Sequence, residues 1–301
     1  MAKSKSFNNS NKKKSWGGKW TETKLDAFEK YVKAYLNIMS KNPYWKIVYF
    51  DGFAGSGERK IENEELFTQL SIDLEEVNVY QGAAERVVKI DIPISFDYYY
   101  FIDKSEESSN KLRDKIISSF PDKKESFVFR NSECDLQLRK LAKASKDKTK
   151  NLASLIFLDP FGMQISWDAI RELKGTRSDV WILIPTGVIV NRLLDRKGEL
   201  KSINKLQDFF GMTEEEIRKQ FYKNEIKLNL FGEEENITHK VLDPINHIAR
   251  IYKDNLKTVW KHVTEVPLRL DNSVGTPIFH FVFASNNQNA VKIAQEVIKN
   301  I

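Results

Sequence analysis

Cysteine is nearly missing from this sequence. Cys134 is the only one in 301 residues, which excludes an intramolecular disulfide and any zinc site built from cysteines. Histidine is scarce too: His239, His247, His262 and His280 are scattered without metal-ligand spacing, so no metal is expected. His239 and His247 fall in a charged, helix-patterned stretch, where a solvated or core role is expected. No apolar run approaches the roughly 20 residues needed to cross a bilayer, and the first residues lack the apolar stretch of a secretory leader. Together these absences lead us to expect a cytoplasmic protein with no membrane segment.

Charge of one sign is also missing once its location is considered. The chain carries a net charge of +6, but Lys3, Lys5, Lys12, Lys13, Lys14 and Lys19 fall within residues 1–20 beside no acid. The remainder is therefore balanced. Residues 1–20, rich in Ser, Asn and Lys, have little to bury and read as a basic disordered tail, able to touch phosphates weakly or simply to solubilise. The folded body is expected over 21–301. With 41% hydrophobic and 30% charged residues, it has the composition of an ordinary globular domain, long enough to need no covalent staples.

The pattern along that body alternates. Thr21 can cap a helix whose Leu25, Phe28, Val32, Tyr35, Leu36 and Met39 recur at spacings of three and four. Trp45 to Phe50, Tyr98 to Ile102, Phe127 to Arg130, Leu152 to Leu158 and Val180 to Ile184 read as strands, with helices between them from Gly82 to Lys89, from about Ser105 to Ser119, after Asp135 and near Trp167 to Leu173. Strands alternating with helices predict a doubly wound parallel sheet. His262 to Leu270 and Thr276 to Ala284 are joined by a short connection and predict an antiparallel pair. Residues 58–80, acidic and irregular, and 191–258, charged and helix-patterned with no obvious strand, read as insertions.

The chemistry should sit beyond the carboxyl ends of the parallel strands, where strand order reverses. There the sequence places Asp51, Asp103, Glu133 and Asp159 in succession. The run Asp51-Gly52-Phe53-Ala54-Gly55-Ser56-Gly57 lets the backbone turn sharply and approach a ligand closely. It lacks the Lys-Ser/Thr ending of a phosphate-cradling loop. It also departs from the dinucleotide fingerprint, because an acid leads the turn and repels a pyrophosphate while suiting a cation. Asp103 is placed to accept hydrogen bonds from ribose hydroxyls. Glu133, with a neighbouring backbone N–H, is placed to read an adenine edge. Cys134 reads as a small packing residue rather than a nucleophile, since no histidine lies near it in sequence. In Asp159-Pro160-Phe161-Gly162, a carboxylate and a backbone carbonyl can hold a planar amine while the ring of Phe161 stacks on it. The alternative for Phe161 is a place in the core.

These stretches resemble the class I S-adenosylmethionine (SAM)-dependent methyltransferase fold: a mostly parallel seven-stranded Rossmann-like sheet with a C-terminal antiparallel pair. More closely, the sequence is similar to the three-Cys-motif partner (TcmP) family of bacterial proteins. The similarity lies in Lys24-Leu25 to Tyr35-Leu36, Tyr49 to Gly57, Gly82-Ala83-Ala84, Phe101-Ile102-Asp103, Phe157 to Gly162 and Phe279 to Ser285. The resemblance implies SAM as cofactor, with Asp51, Gly52, Phe53, Gly55 and Gly57 around its methionine part, Asp103 on the ribose, and Glu133 and Cys134 near the adenine. Asp159, Pro160 and Phe161 are the catalytic candidates, and a partner protein with a three-cysteine motif is implied. Two departures stand out. Phe161 directly follows Pro160, where adenine amino-methyltransferases usually carry a second proline, and Ser132-Glu133 replaces the usual Gly-Asp.

The reading that follows is a methyltransferase directed at nitrogen, with nucleic acid as the leading acceptor and Trp16, Trp20 and Phe161 as candidates to stack bases. The alternatives are a SAM-binding regulatory module without turnover, serving the three-cysteine partner, and an NAD-type oxidoreductase using the same sheet.

Overall fold

The computed structural model describes residues 19–55, 82–160, 162–228, 231–272 and 274–301. Gly57, Phe161, Trp16 and the expected insertion 58–80 lie outside these residues. The first half follows the expected alternation: α1 (Lys19–Met39), β1 (Lys46–Asp51), α2 (Gly82–Lys89), β2 (Tyr98–Asp103), α3 (Glu106–Ser119), β3 (Phe127–Asn131), α4 (Cys134–Lys146), β4 (Leu152–Leu158), α5 (Trp167–Arg171) and β5 (Ser178–Ile184). The second half holds α6 (Ile203–Phe210), α7 (Glu214–Phe221), β6 (Tyr222–Leu228), β7 (Glu234–Lys240), α8 (Pro244–Leu256), β8 (His262–Val263), β9 (Leu268–Asp271), β10 (Pro277–Ser285) and α9 (Gln288–Lys299).

The main sheet runs β3-β2-β1-β4-β5-β10, with β8 and β9 both pairing with β10. The first five strands are parallel, and β10 is antiparallel to β5. This is the mostly parallel, Rossmann-like α/β sheet with antiparallel C-terminal strands that the sequence led us to expect. The chain steps outward from β1 to β3 and then returns to lay β4 on the other side of β1. The reversal of order therefore falls between β1 and β4.

Side chains alternate across the sheet, and both faces are covered over β1, β4, β5 and β10, which is why these strands read as nearly continuous apolar runs. Odd positions such as Tyr49, Phe101, Phe157, Trp181 and Phe281 pack into one core with α1, α2, α3 and α9. Even positions such as Val48, Ile102, Ile156, Ile182 and Val282 pack into a second core with α4 to α8. Aromatic contacts knit the first core, for instance Phe28 stacked on Phe157 at 4.2 Å. Among the described residues no helix is long and apolar enough to cross a membrane.

Four expectations need correction. Residues 191–258 contain an antiparallel hairpin, Tyr222–Leu228 with Glu234–Lys240, and His239 lies on its second strand. The strands were hidden because a strand is recognised by its buried face, and this hairpin is exposed on most of its residues and buries only Tyr222. The stretch His262 to Leu270 is two short strands, so the sheet has eight strands and not seven. The break falls where Thr264 donates its N–H to Phe283 O and accepts the Phe283 N–H on its hydroxyl. Pro267, just before β9, has no N–H to continue the ladder. Helix α1 starts at Lys19, so Thr21 is no cap. It lies fully buried in the first turn. Lys19 and Trp20 therefore belong to the helix and not to the tail.

Candidate functional site

Parallel pairing carries Asp51, Asp103 and Asp159 to one edge of the sheet. Asp51 ends β1 opposite Phe101 and Phe157, Asp103 ends β2 opposite Asn131, and Asp159 follows the last residue of β4. Asp51 and Asp103 occupy odd positions on their strands, and Asp159 continues the count from Phe157. All three therefore lean toward the side of α1.

The turn after β1 is built to pass close to its neighbours. Gly52 donates its N–H to Phe157 O at 3.0 Å and Ala54 donates to Ile102 O at 2.9 Å, so the loop is laced to the ends of β4 and β2. A Cβ on Gly52 would lie 2.6 Å from Cys134 Sγ and 2.8 Å from Leu158 Cδ2. Gly55 has φ +49°, a left-handed conformation that glycine adopts without penalty. Gly52→Ala is therefore expected to overpack this turn and cost about 1–3 kcal/mol, measurable as a lowered urea midpoint.

Asp103 fixes the other end of the turn. Its Oδ2 accepts the Gly55 N–H at 3.0 Å, and its Oδ1 accepts the Ser105 N–H at 2.7 Å. Asp51 is buried and accepts the Phe53 N–H at 3.2 Å and the Tyr49 hydroxyl at 3.1 Å. Burial pushes its carboxyl up to about 7; the two hydrogen bonds oppose that rise, and the charges of Asp159 and Asp103 add to it. Among the described residues neither Asp51 nor Asp103 forms an ion pair. Within the described residues the turn thus holds two carboxyl groups near one another and no cation paired to either.

Asp159 is held differently. Lys24 of α1, wholly buried, places Nζ 2.5 Å from Asp159 Oδ2, with the ammonium 5.3 Å from the centre of the Trp20 ring. The sequence reading missed Lys24 as a functional residue, although the signal was present. Lys24 precedes Phe28 by four residues and Tyr31 by seven, so it stands on the apolar stripe of the helix. A lysine there must find a partner indoors. Trp20 is buried against Phe279 at 5.4 Å, so it is packed in the core and not offered to a base.

Two further anchors appear only in the structure. Asp135 of α4 accepts the Ser166 hydroxyl at 2.6 Å and the Ser166 N–H, tying the loop after Pro160 to α4. On the other face of the sheet His280 Nδ1 lies 2.7 Å from the Thr186 hydroxyl, and burial, with Arg269 adding to it, pushes its pKa down to about 4. His280 is therefore neutral near pH 7. It abuts a π-helical turn, Thr186–Val190, at the end of β5.

Glu133 and Cys134 sit at the start of α4. The Glu133 carboxylate is exposed and pairs with Lys104 at 2.6 Å. Cys134 is buried beneath Gly52, and desolvation pushes its thiol pKa well up, with Asp135, Asp51 and Glu133 adding to the rise. Such a thiol is a packing group and not a nucleophile. Among the described residues no cluster of His, Cys, Asp and Glu could hold a metal ion.

No protein-family model matches the chain, and no curated protein matches it significantly. Among solved structures it is similar to Trm1 from Pyrococcus horikoshii in complex with SAM, at 11% identity and a TM-score of 0.40. That match covers 90% of this chain and 57% of the other, so this chain spans little more than half of Trm1. It is also similar to a Legionella pneumophila protein, at 13% identity and a TM-score of 0.37, covering 90% and 98% of the two chains. A third likeness is the methyltransferase domain of bacterial CtHen1, at 11% identity and a TM-score of 0.27, covering 72% and 100%. Likenesses this distant carry no functional argument; the site geometry has to.

Proposed function

We propose that this chain is a SAM-dependent methyltransferase directed at nitrogen, with nucleic acid as the acceptor. One observation carries the reading. Two carboxyl groups with no ion pair among the described residues, Asp51 and Asp103, flank a glycine turn at the carboxyl edge where strand order reverses, which is where nucleoside ligands of open α/β sheets bind. A buried carboxyl lifted to about 7 favours a cationic ligand, whose charge restores the ionised form. NAD, led by a pyrophosphate, suits such a turn poorly.

The residues present fit SAM. The turn of Asp51, Gly52, Phe53 and Gly55, with Gly57 beyond it, is assigned to the methionine part, Asp103 to the ribose hydroxyls, and Glu133 with Cys134 to the neighbourhood of the adenine. SAM, when bound there, would supply a methyl group activated by its sulfonium. The protein's contribution is orientation. Asp159-Pro160 is assigned to the acceptor amine, and Phe161, outside the described residues, is the candidate to stack on it.

A second reading has its own support. The ion pair of Asp159 with Lys24 occupies Oδ2, which suits a SAM-binding module without turnover. In that role the chain would act with a three-cysteine-motif partner, as its resemblance to the TcmP family implies.

The two readings separate on methyl transfer from labelled SAM to total RNA, DNA and protein. We expect label in nucleic acid, and a fall of at least one hundred-fold in Asp159→Ala, on the scale of lost positioning. SAM binding without label transfer would support the module instead.

A further inference from the structure

The folded body carries almost no net charge, but its cations are not spread evenly. Between α4 and the sheet, on the face opposite the carboxylates, lies a groove of about 710 Å³, a size typical of ligand sites. It opens at the amino edge of the strands and runs beside β1 from Lys46 to Phe50, one residue short of Asp51. It exists because α4 covers β2 only in part. Ile102 lies in the core beneath the helix, Tyr100 is half-buried and Tyr98 is exposed.

Four cations line it, Lys46, Arg130, Lys140 and Lys150, and no carboxylate does. All four are exposed. Lys150 has one loose ion pair, 3.8 Å from Asp147. Among the described residues Lys46, Arg130 and Lys140 have no ion pair. Three phenol rings, Tyr44, Tyr98 and Tyr100, share the lining with apolar groups of β1 and α4.

We propose that this groove binds a single-stranded segment of nucleic acid, with the four cations on phosphates and the tyrosines under bases. Cations without counter-charge select a polyanion. Aromatic rings between them select one with flat, unpaired faces to stack, which the interior bases of a duplex do not offer. An acidic peptide would use the cations and leave the rings without a partner. At roughly 3.3 Å per residue, β1 spans about 20 Å, so a strand seated here lies within reach of the carboxyl edge. The inference deepens the proposed function by placing the acceptor, but binding is measured without cofactor and does not depend on methyl transfer.

The test is fluorescence anisotropy of the full chain with a labelled 12-nucleotide single strand of mixed sequence, titrated with salt. Arg130→Glu with Lys140→Glu is compared with Lys292→Glu and Lys299→Glu, which change the charge equally on exposed positions of α9. The groove variant is expected to weaken binding tenfold or more and to flatten the salt slope by about 1.4, two contacts' worth for a single strand. The α9 variant should stay within about twofold. Tyr98→Ala is expected to cost roughly fivefold or more, and poly-glutamate is expected to compete poorly. Equal losses in the two charge variants, no effect of Tyr98→Ala, or competition by poly-glutamate as strong as by the oligonucleotide would overturn the assignment. Thermal melting confirms that each variant folds. A wild-type chain that binds the oligonucleotide but not SAM would sink the methyltransferase reading and leave the groove standing.

Discussion

Replacing Lys24 with methionine is expected to lower the stability of the folded domain by about 3–5 kcal/mol, the range for breaking one side of a buried ion pair. Lys24 and Asp159 are 0% and 1% exposed, so water cannot take over the role of the lost ammonium. Losing that charge loosens the contact between α1 and the end of β4. Asp159→Asn should cost a comparable amount, because it removes the charge that faces the buried ammonium. The double variant Lys24→Met with Asp159→Leu is expected to recover much of the loss, since a buried pair exchanged for apolar groups is often neutral. Urea unfolding of the three variants measures this. Single variants within about 1 kcal/mol of wild type would mean that the pair does not hold the site together.

The second large effect is on ligand binding. Asp51, with its carboxyl near 7, is half protonated at neutral pH in the free protein, whereas a sulfonium ligand binds best to the carboxylate. Protons and SAM therefore compete. Affinity is expected to fall about tenfold from pH 8 to pH 6 and to level off above pH 8, as titration of one group near 7 requires. Asp51→Asn should bind weakly and, across that window, show only the ligand's own titration. The same shift acts on the free fold with a defined sign. A carboxyl raised in the native state holds a proton that the unfolded chain has released, so Asp51's contribution to stability declines as pH rises from about 4 to about 7 and is flat beyond. A SAM affinity equally steep in wild type and Asp51→Asn would remove Asp51 from the binding site.

How far the sequence could be read depends on what each element buries. The central strands β1, β4 and β5 were the most legible because they are covered on both faces, so Leu152 to Leu158 reads as an uninterrupted apolar run. The acids at their ends were legible because parallel topology alone sends them to one edge. The hairpin of β6 and β7 was not, because its two strands bury almost nothing and leave no periodic trace. Lys24 was overlooked since a lysine is ordinarily solvated, and only its place on the stripe of Phe28 and Tyr31 marks it as buried. The cationic groove could not be read at all. Lys46, Arg130, Lys140 and Lys150 come from separate elements, and nothing in their spacing brings them together before the sheet does.

The whole functional reading turns on whether the cleft takes a sulfonium nucleoside, and calorimetric titration of the purified chain at pH 8 addresses that directly. SAM is expected to bind at one site per chain, its demethylated product also to bind, and NAD to give no heat. A titration in which NAD binds and SAM does not, or in which Asp51→Asn and Asp103→Ala bind SAM as tightly as wild type, would contradict it.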